Sequence, residues 1–168
     1  MSTDLIDPFG RTVKYVRLSV TDRCDLRCFY CMPGDFRDFS EPDEWLTFTE
    51  IERVIGAFAS LGVRHYRITG GEPLVRKNLT ELAENLAGIP CLLDLSLSTN
   101  AVGLSRHAEA LRTAGISRIN VSLDSLRAER FRQITKGNLD KVIAGLMAAK
   151  NNGFSPIKIN MVVMKGIN

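Results

Sequence analysis

Five segments of this chain alternate polar with apolar residues at the two-residue period of a strand, and helix-like segments separate them. Strands are expected near 13–20, 63–69, 91–98, 117–123 and 156–164, and helices near 48–61, 78–87, 104–114 and 138–152. Strict alternation of this kind implies an α/β fold with a parallel sheet and right-handed crossovers. A parallel sheet covered on both faces reads as continuous apolar runs, and these strands do not. Arg17 and Ser19 share one face of the first, Arg67 and Thr69 of the second, and Asp94, Ser96 and Ser98 of the third. Asn120, Ser122 and Asp124 do so on the fourth, Lys158 and Asn160 on the fifth. With helices over the apolar faces, the polar faces look into a common hollow, as in a partial barrel. An antiparallel sheet with one face in water is the competing reading, and the interspersed helices argue against it.

Local signals agree with this layout. Ile51, Val54, Ile55, Phe58 and Ala59 form one helical stripe, and Leu139, Val142, Ile143, Leu146 and Met147 another. Thr47 with Glu50 reads as a capping box. Gly62, Gly115 and Gly153 stand just past three helix ends, where left-handed glycines belong.

A chain of 168 residues with 45% hydrophobic content is long enough for one domain with a real core. A net charge of +3 is too small to argue for nucleic acid or a membrane surface. The opening MSTDLIDPFGR lacks the apolar stretch of a signal peptide, and no apolar run approaches a membrane span. A cytoplasmic, reducing setting is expected.

Three of the four cysteines, Cys24, Cys28 and Cys31, fall within eight residues, in the spacing Cys-x3-Cys-x2-Cys. A cubane iron–sulfur cluster has four irons, so three thiolates leave one iron open for chemistry. Zinc could take three thiolates and a further ligand, but the second ligand pair usual for such a site is missing. Disulfides do not suit a reducing compartment, and a simple ferredoxin wants a fourth cysteine nearby. Cys91 stands at the start of the third strand, the wrong end for a ligand, and reads as a small buried apolar residue. The cysteine loop follows the first strand, at the C-terminal mouth where parallel βα barrels carry their chemistry. Gly70-Gly71-Glu72-Pro73 follows the second strand at the same mouth, and paired glycines admit close backbone approach to a ligand. Arg17, Arg67 and Lys158 bring three cations inward from three strands. Either Asp94 and Asp124 neutralise two of them, or they meet a polyanionic substrate.

The cysteine spacing is the radical S-adenosylmethionine (SAM) signature. SVTDRC at 19–24, YCMP at 30–33, RITGGEPLVR at 67–76, STN at 98–100, NVSLDSL at 120–126 and KINMVVMKGIN at 158–168 resemble one family of that superfamily. It is the molybdenum cofactor biosynthesis protein A family, the GTP 3',8-cyclases. The resemblance implies a partial TIM-like (βα) barrel of the radical SAM type, with five of six strands present. It makes residues 1–168 a truncated radical SAM core domain. It implies a 4Fe–4S cluster on Cys24, Cys28 and Cys31, SAM on Tyr30, Gly71 and Ser122, and GTP on Arg17, Arg67, Thr99 and Lys158. The reaction implied is radical conversion of GTP to 3',8-cyclo-7,8-dihydro-GTP, started by hydrogen abstraction from C3'. No side chain stands out as a general acid or base. Partners implied are GTP and an electron donor of flavodoxin or ferredoxin type, with no nucleic acid and no membrane. Asp25, where Asn is commoner in the family, touches no ligand role in this reading. The family is about twice as long and carries a second cysteine triad for a second 4Fe–4S cluster, so the chain reads as an N-terminal portion. An unpaired edge on the fifth strand leaves a homo-oligomer open. A radical SAM enzyme acting on a peptide or another small molecule, and a non-catalytic fragment that binds metal or a partner, remain alternatives.

Overall fold

The structure is a computed structural model, and residues 4–32, 35, 36, 39 and 42–168 are described. Pro33, which closes the motif at 30–33, and the first three residues lie outside them. The strands are β1 (Tyr15–Ser19), β2 (His65–Thr69), β3 (Asp94–Thr99), β4 (Arg118–Ser122) and β5 (Ile157–Asn160). The helices are α1 (Phe48–Ser60), α2 (Leu79–Ala87), α3 (Leu104–Thr113), α4 (Ala128–Thr135) and α5 (Leu139–Asn151). All strands are parallel, in the order β1-β2-β3-β4-β5. The α/β partial barrel expected from the sequence is the fold observed.

Tyr66, Ile68, Leu95, Leu97, Ile119 and Val121 turn one face of the sheet into the core, against Ile51, Ile55, Leu82, Leu104 and Val142 of the helices. The opposite face carries the polar residues, and the register stacks them in rows. Arg17 lies opposite Arg67, Arg67 opposite Ser96, and Ser96 opposite Arg118. One row nearer the C-terminal mouth, Ser98 lies opposite Asn120 and Asn120 opposite Lys158.

The Thr47–Glu50 capping box is present in full. Gly62, Gly115 and Gly153 take φ of 87°, 98° and 74° just past their helices. Three expectations are corrected. Helix α4 was not foreseen, because only Phe131, Ile134 and Thr135 of its eight residues are buried and no side chain caps it. Helix α5 buries Leu139, Val142, Gly145 and Ala149, while Ile143 and Met147 stay exposed. A Cβ at Gly145 would strike the Ala101 carbonyl oxygen, so small residues set this helix's approach to the body. Cys91 is exposed and precedes β3 in a turn with φ of 69°, so it is neither buried nor in a strand.

Candidate functional site

The loop after β1 is held from three directions. The backbone N–H groups of Arg27 and Phe29 donate to the carbonyls of Thr135 and Ile134 at the end of α4, at 2.9 and 3.1 Å. Those carbonyls have no intrahelical partner at a helix C-terminus, so α4 clamps the cysteine segment. The Tyr30 hydroxyl donates to Asp124 Oδ2 at 2.7 Å, and Val162 N donates to Asp124 Oδ1 at 2.9 Å. Asp124 is buried and joins the cysteine loop to the chain leaving β5. At Cys24, Sγ accepts from Leu26 N at 3.4 Å and from Asn100 Nδ2 at 3.8 Å. The same Asn100 amide donates to Asp25 Oδ1 at 2.6 Å. Asp25 therefore shares a donor with Cys24.

Gly70 and Gly71 lie directly on the backbone that enters the cysteine loop. Gly71 N donates to the Thr21 carbonyl at 2.7 Å and Glu72 N to the Arg23 carbonyl at 2.8 Å. A Cβ on Gly70, whose φ is 149°, would strike Thr21 O, and one on Gly71 would strike Arg23 O. Among the described residues no backbone N–H donates to the carbonyl oxygen of either glycine. Glu72 turns inward instead. It accepts from Thr99 Oγ1 at 2.7 Å, Asn100 N at 2.5 Å and Leu74 N at 3.1 Å. Burial outweighs these donors and pushes its carboxyl up to about 7.

Among the described residues, neither Asp94 nor Asp124 neutralises an expected cation. Asp94 pairs with Arg118 at 2.5 Å, a further cation on the polar face that the sequence reading passed over. Arg118 stands two residues before Asn120, and that parity was the available signal. Asp124 is taken by Tyr30 and Val162. Arg67 lies over the Tyr15 ring at 5.3 Å and donates to Ser96 Oγ at 3.4 Å. With the Asn120 amide oxygen turned toward it, Arg67 also donates from both terminal nitrogens, at 2.5 and 3.0 Å. Arg17, Arg67 and Lys158 have no carboxylate partner among the described residues.

One cavity of about 330 Å³ collects the site. Cys24, Cys28, Cys31, Tyr30, Gly71, Ser122, Thr99 and Arg17 all line it, together with Asn100 and Asp124. Arg67 and Lys158 share the polar face but not the cavity lining. Thr99 reaches the cavity at the end of β3, with its hydroxyl committed to Glu72.

Burial pushes the Cys24 thiol up and the Cys28 thiol up to about 11. Metal binding displaces such protons. Among the described residues no three Cys, His, Asp or Glu side chains converge as the ligands of a single ion. A cubane makes no such demand, since each thiolate takes its own iron. N–H donors aimed at Cys24 Sγ are the kind that tune iron–sulfur clusters. The residues present fit a cluster with an open iron and a ligand against the diglycine carbonyls.

The radical SAM superfamily profile matches residues 18–168. The chain is 52% identical over 169 residues to the GTP 3',8-cyclase of Hydrogenovibrio crunogenus, covering 98% of this chain and 50% of that protein. It is 54% identical over 167 residues to GTP 3',8-cyclase 1 of Pseudomonas aeruginosa, covering 99% and 50%. The chain thus spans about half the length of the curated relatives it matches. Among solved structures it resembles Streptococcus suis SuiB bound to SAM, with a TM-score of 0.76 at 20% identity, over 91% of this chain and 35% of that one. Methylornithine synthase superposes with a TM-score of 0.72 at 17% identity, over 95% and 47%. These likenesses carry the fold, and the profile match agrees with the cysteine loop and diglycine found at one mouth of the sheet: this chain belongs to the radical SAM superfamily.

Proposed function

We propose that this chain forms the SAM-cleaving part of a GTP 3',8-cyclase. The observation that supports it most is the single cavity shared by the three thiols, the diglycine, Ser122 and Arg17, on a sheet face whose Arg17, Arg67 and Lys158 have no carboxylate partner among the described residues. When bound, the cluster and SAM would supply the radical chemistry that joins C3' of GTP to C8 of its base.

The chain's own residues position and shield. Cys24, Cys28 and Cys31 hold the cluster. The Gly70 and Gly71 carbonyls take the methionine ammonium of SAM, the Tyr30 backbone meets its adenine, and Ser122 meets SAM from β4. Arg17, Arg67, Thr99 and Lys158 hold GTP. Guanidinium forks suit phosphate oxygens, and a triphosphate supplies negative charge to Arg17, Arg67 and Lys158, which have no carboxylate partner among the described residues. Residues 1–168 act as one core domain, reduced by a one-electron carrier of flavodoxin or ferredoxin type in the cytoplasm. No described helix is long and apolar enough to cross a membrane.

The test is anaerobic reconstitution with iron and sulfide, followed by 5'-deoxyadenosine formation from SAM and GTP binding by calorimetry. Arg17→Ala/Arg67→Ala/Lys158→Ala should keep deoxyadenosine formation and weaken GTP binding by about a hundredfold or more, on the order of 1–3 kcal/mol for each charged hydrogen bond lost. Unchanged GTP binding in the triple variant sinks the GTP assignment. A chain that takes up no cluster sinks the whole reading.

A further inference from the structure

A second hollow, of about 430 Å³, lies on the outer side of the cysteine loop. Asp25 and Leu26 of the loop line it, and Arg132, Lys136 and Lys141 surround them from α4, the α4–α5 turn and α5. All three cations are exposed, and none has a carboxylate partner within 4 Å among the described residues. Asp25, the one carboxylate of the lining, is bonded to the Asn100 amide. Local helix energetics do not account for this cluster. The end of α4 favours Arg132 and Lys136, but Lys141 stands in the first turn of α5, where the helix dipole disfavours a cation. Like charges four residues apart, as Arg132 and Lys136 are, repel as well.

The hollow is built onto the cysteine loop. A Cβ on Gly137 would strike Leu26 Cδ2, so the α4–α5 turn sits directly on that side chain. Leu26 lines both the hollow and the inner cavity, and its N–H donates to Cys24 Sγ. A single residue therefore separates the basic rim from the first cluster ligand.

We infer that this hollow is the docking surface for an acidic protein that carries a single electron. The inference rests on the cluster reading above. In the step it serves, the carrier is oxidised by one electron and the bound cluster is reduced by one, and no bond or proton changes hands. Such a transfer needs brief, oriented approach more than affinity. A basic rim supplies that by steering an acidic surface at a rate that falls with salt.

Stopped-flow reduction of the reconstituted chain tests this, with reduced flavodoxin as the acidic carrier and reduced methyl viologen, a cation, as the control donor. Arg132→Glu/Lys136→Glu/Lys141→Glu should slow reduction by flavodoxin about tenfold or more at low ionic strength. The difference should vanish at high salt. Reduction by methyl viologen, cluster content and SAM binding should not fall. The milder Arg132→Gln/Lys141→Gln variant should slow flavodoxin by a smaller factor, which keeps the test decisive if the triple reversal takes up less cluster. An unchanged flavodoxin rate, or a slowing that persists at high salt, overturns the docking surface and leaves the cluster reading standing. Wild-type chain that neither donor reduces overturns the cluster reading and this inference with it.

Discussion

Glu72 is a buried acid with three donors pointing at it and an upward-shifted carboxyl, so its protonation is coupled to folding. Its ordinary value is 4.5, and burial moves it to about 7. In the unfolded chain it loses its proton near the lower value, while the folded chain keeps the proton until the higher one. Folding therefore takes up a proton between them. The stability Glu72 contributes is greatest below about 4.5, falls as pH rises to about 7, and is level above. The span corresponds to about 3 kcal/mol at most. Urea unfolding across that range should show this decline in the wild type and a flatter curve in Glu72→Gln. The variant should also lose roughly 1–3 kcal/mol at its plateau, because its amide cannot accept all three donors. A variant with the wild-type slope would assign the pH dependence to another group.

Among the elements, those that form by local chemistry were legible and those set by tertiary approach were not. Thr47, Glu50, Gly62, Gly115 and Gly153 act through their own backbone, so their roles could be read without a partner. The buried side of α5 could not, because it follows from how closely the helix nears Ala101 and not from which residues are most apolar. Gly145 is the contact residue. Gly145→Val should overpack that seam and cost about 1–3 kcal/mol despite the gain in helix propensity, seen as a lower Tm. An unchanged or raised Tm would mean that α5 has room to move outward. Helix α4 is the opposite case, with only Phe131 and Ile134 as large apolar residues, and its purpose lies in the carbonyls it lends to Arg27 and Phe29.

At the scale of the molecule, the site residues were legible as types, but their pairing was not. Which acid meets which cation depends on side-chain reach across neighbouring strands. That placed Asp94 on Arg118 and left Arg17, Arg67 and Lys158 without a carboxylate among the described residues. Asp124 is the connection least visible in sequence, since it bonds residues 94 positions before it and 38 after it. Asp124→Ala should raise hydrogen exchange together at 28–31 and 161–163, with a stability loss of about 1–3 kcal/mol, while Asp124→Asn retains an acceptor for one of the two bonds. A rise at only one segment would show that Asp124 does not couple them. The strand order has a further consequence. Each strand after the first pairs with the strand made just before it, so no pairing waits for a distant segment. During synthesis the sheet can grow one βα unit at a time as the chain emerges, with the cysteine loop already flanked by β1 and β2 before β3 is made.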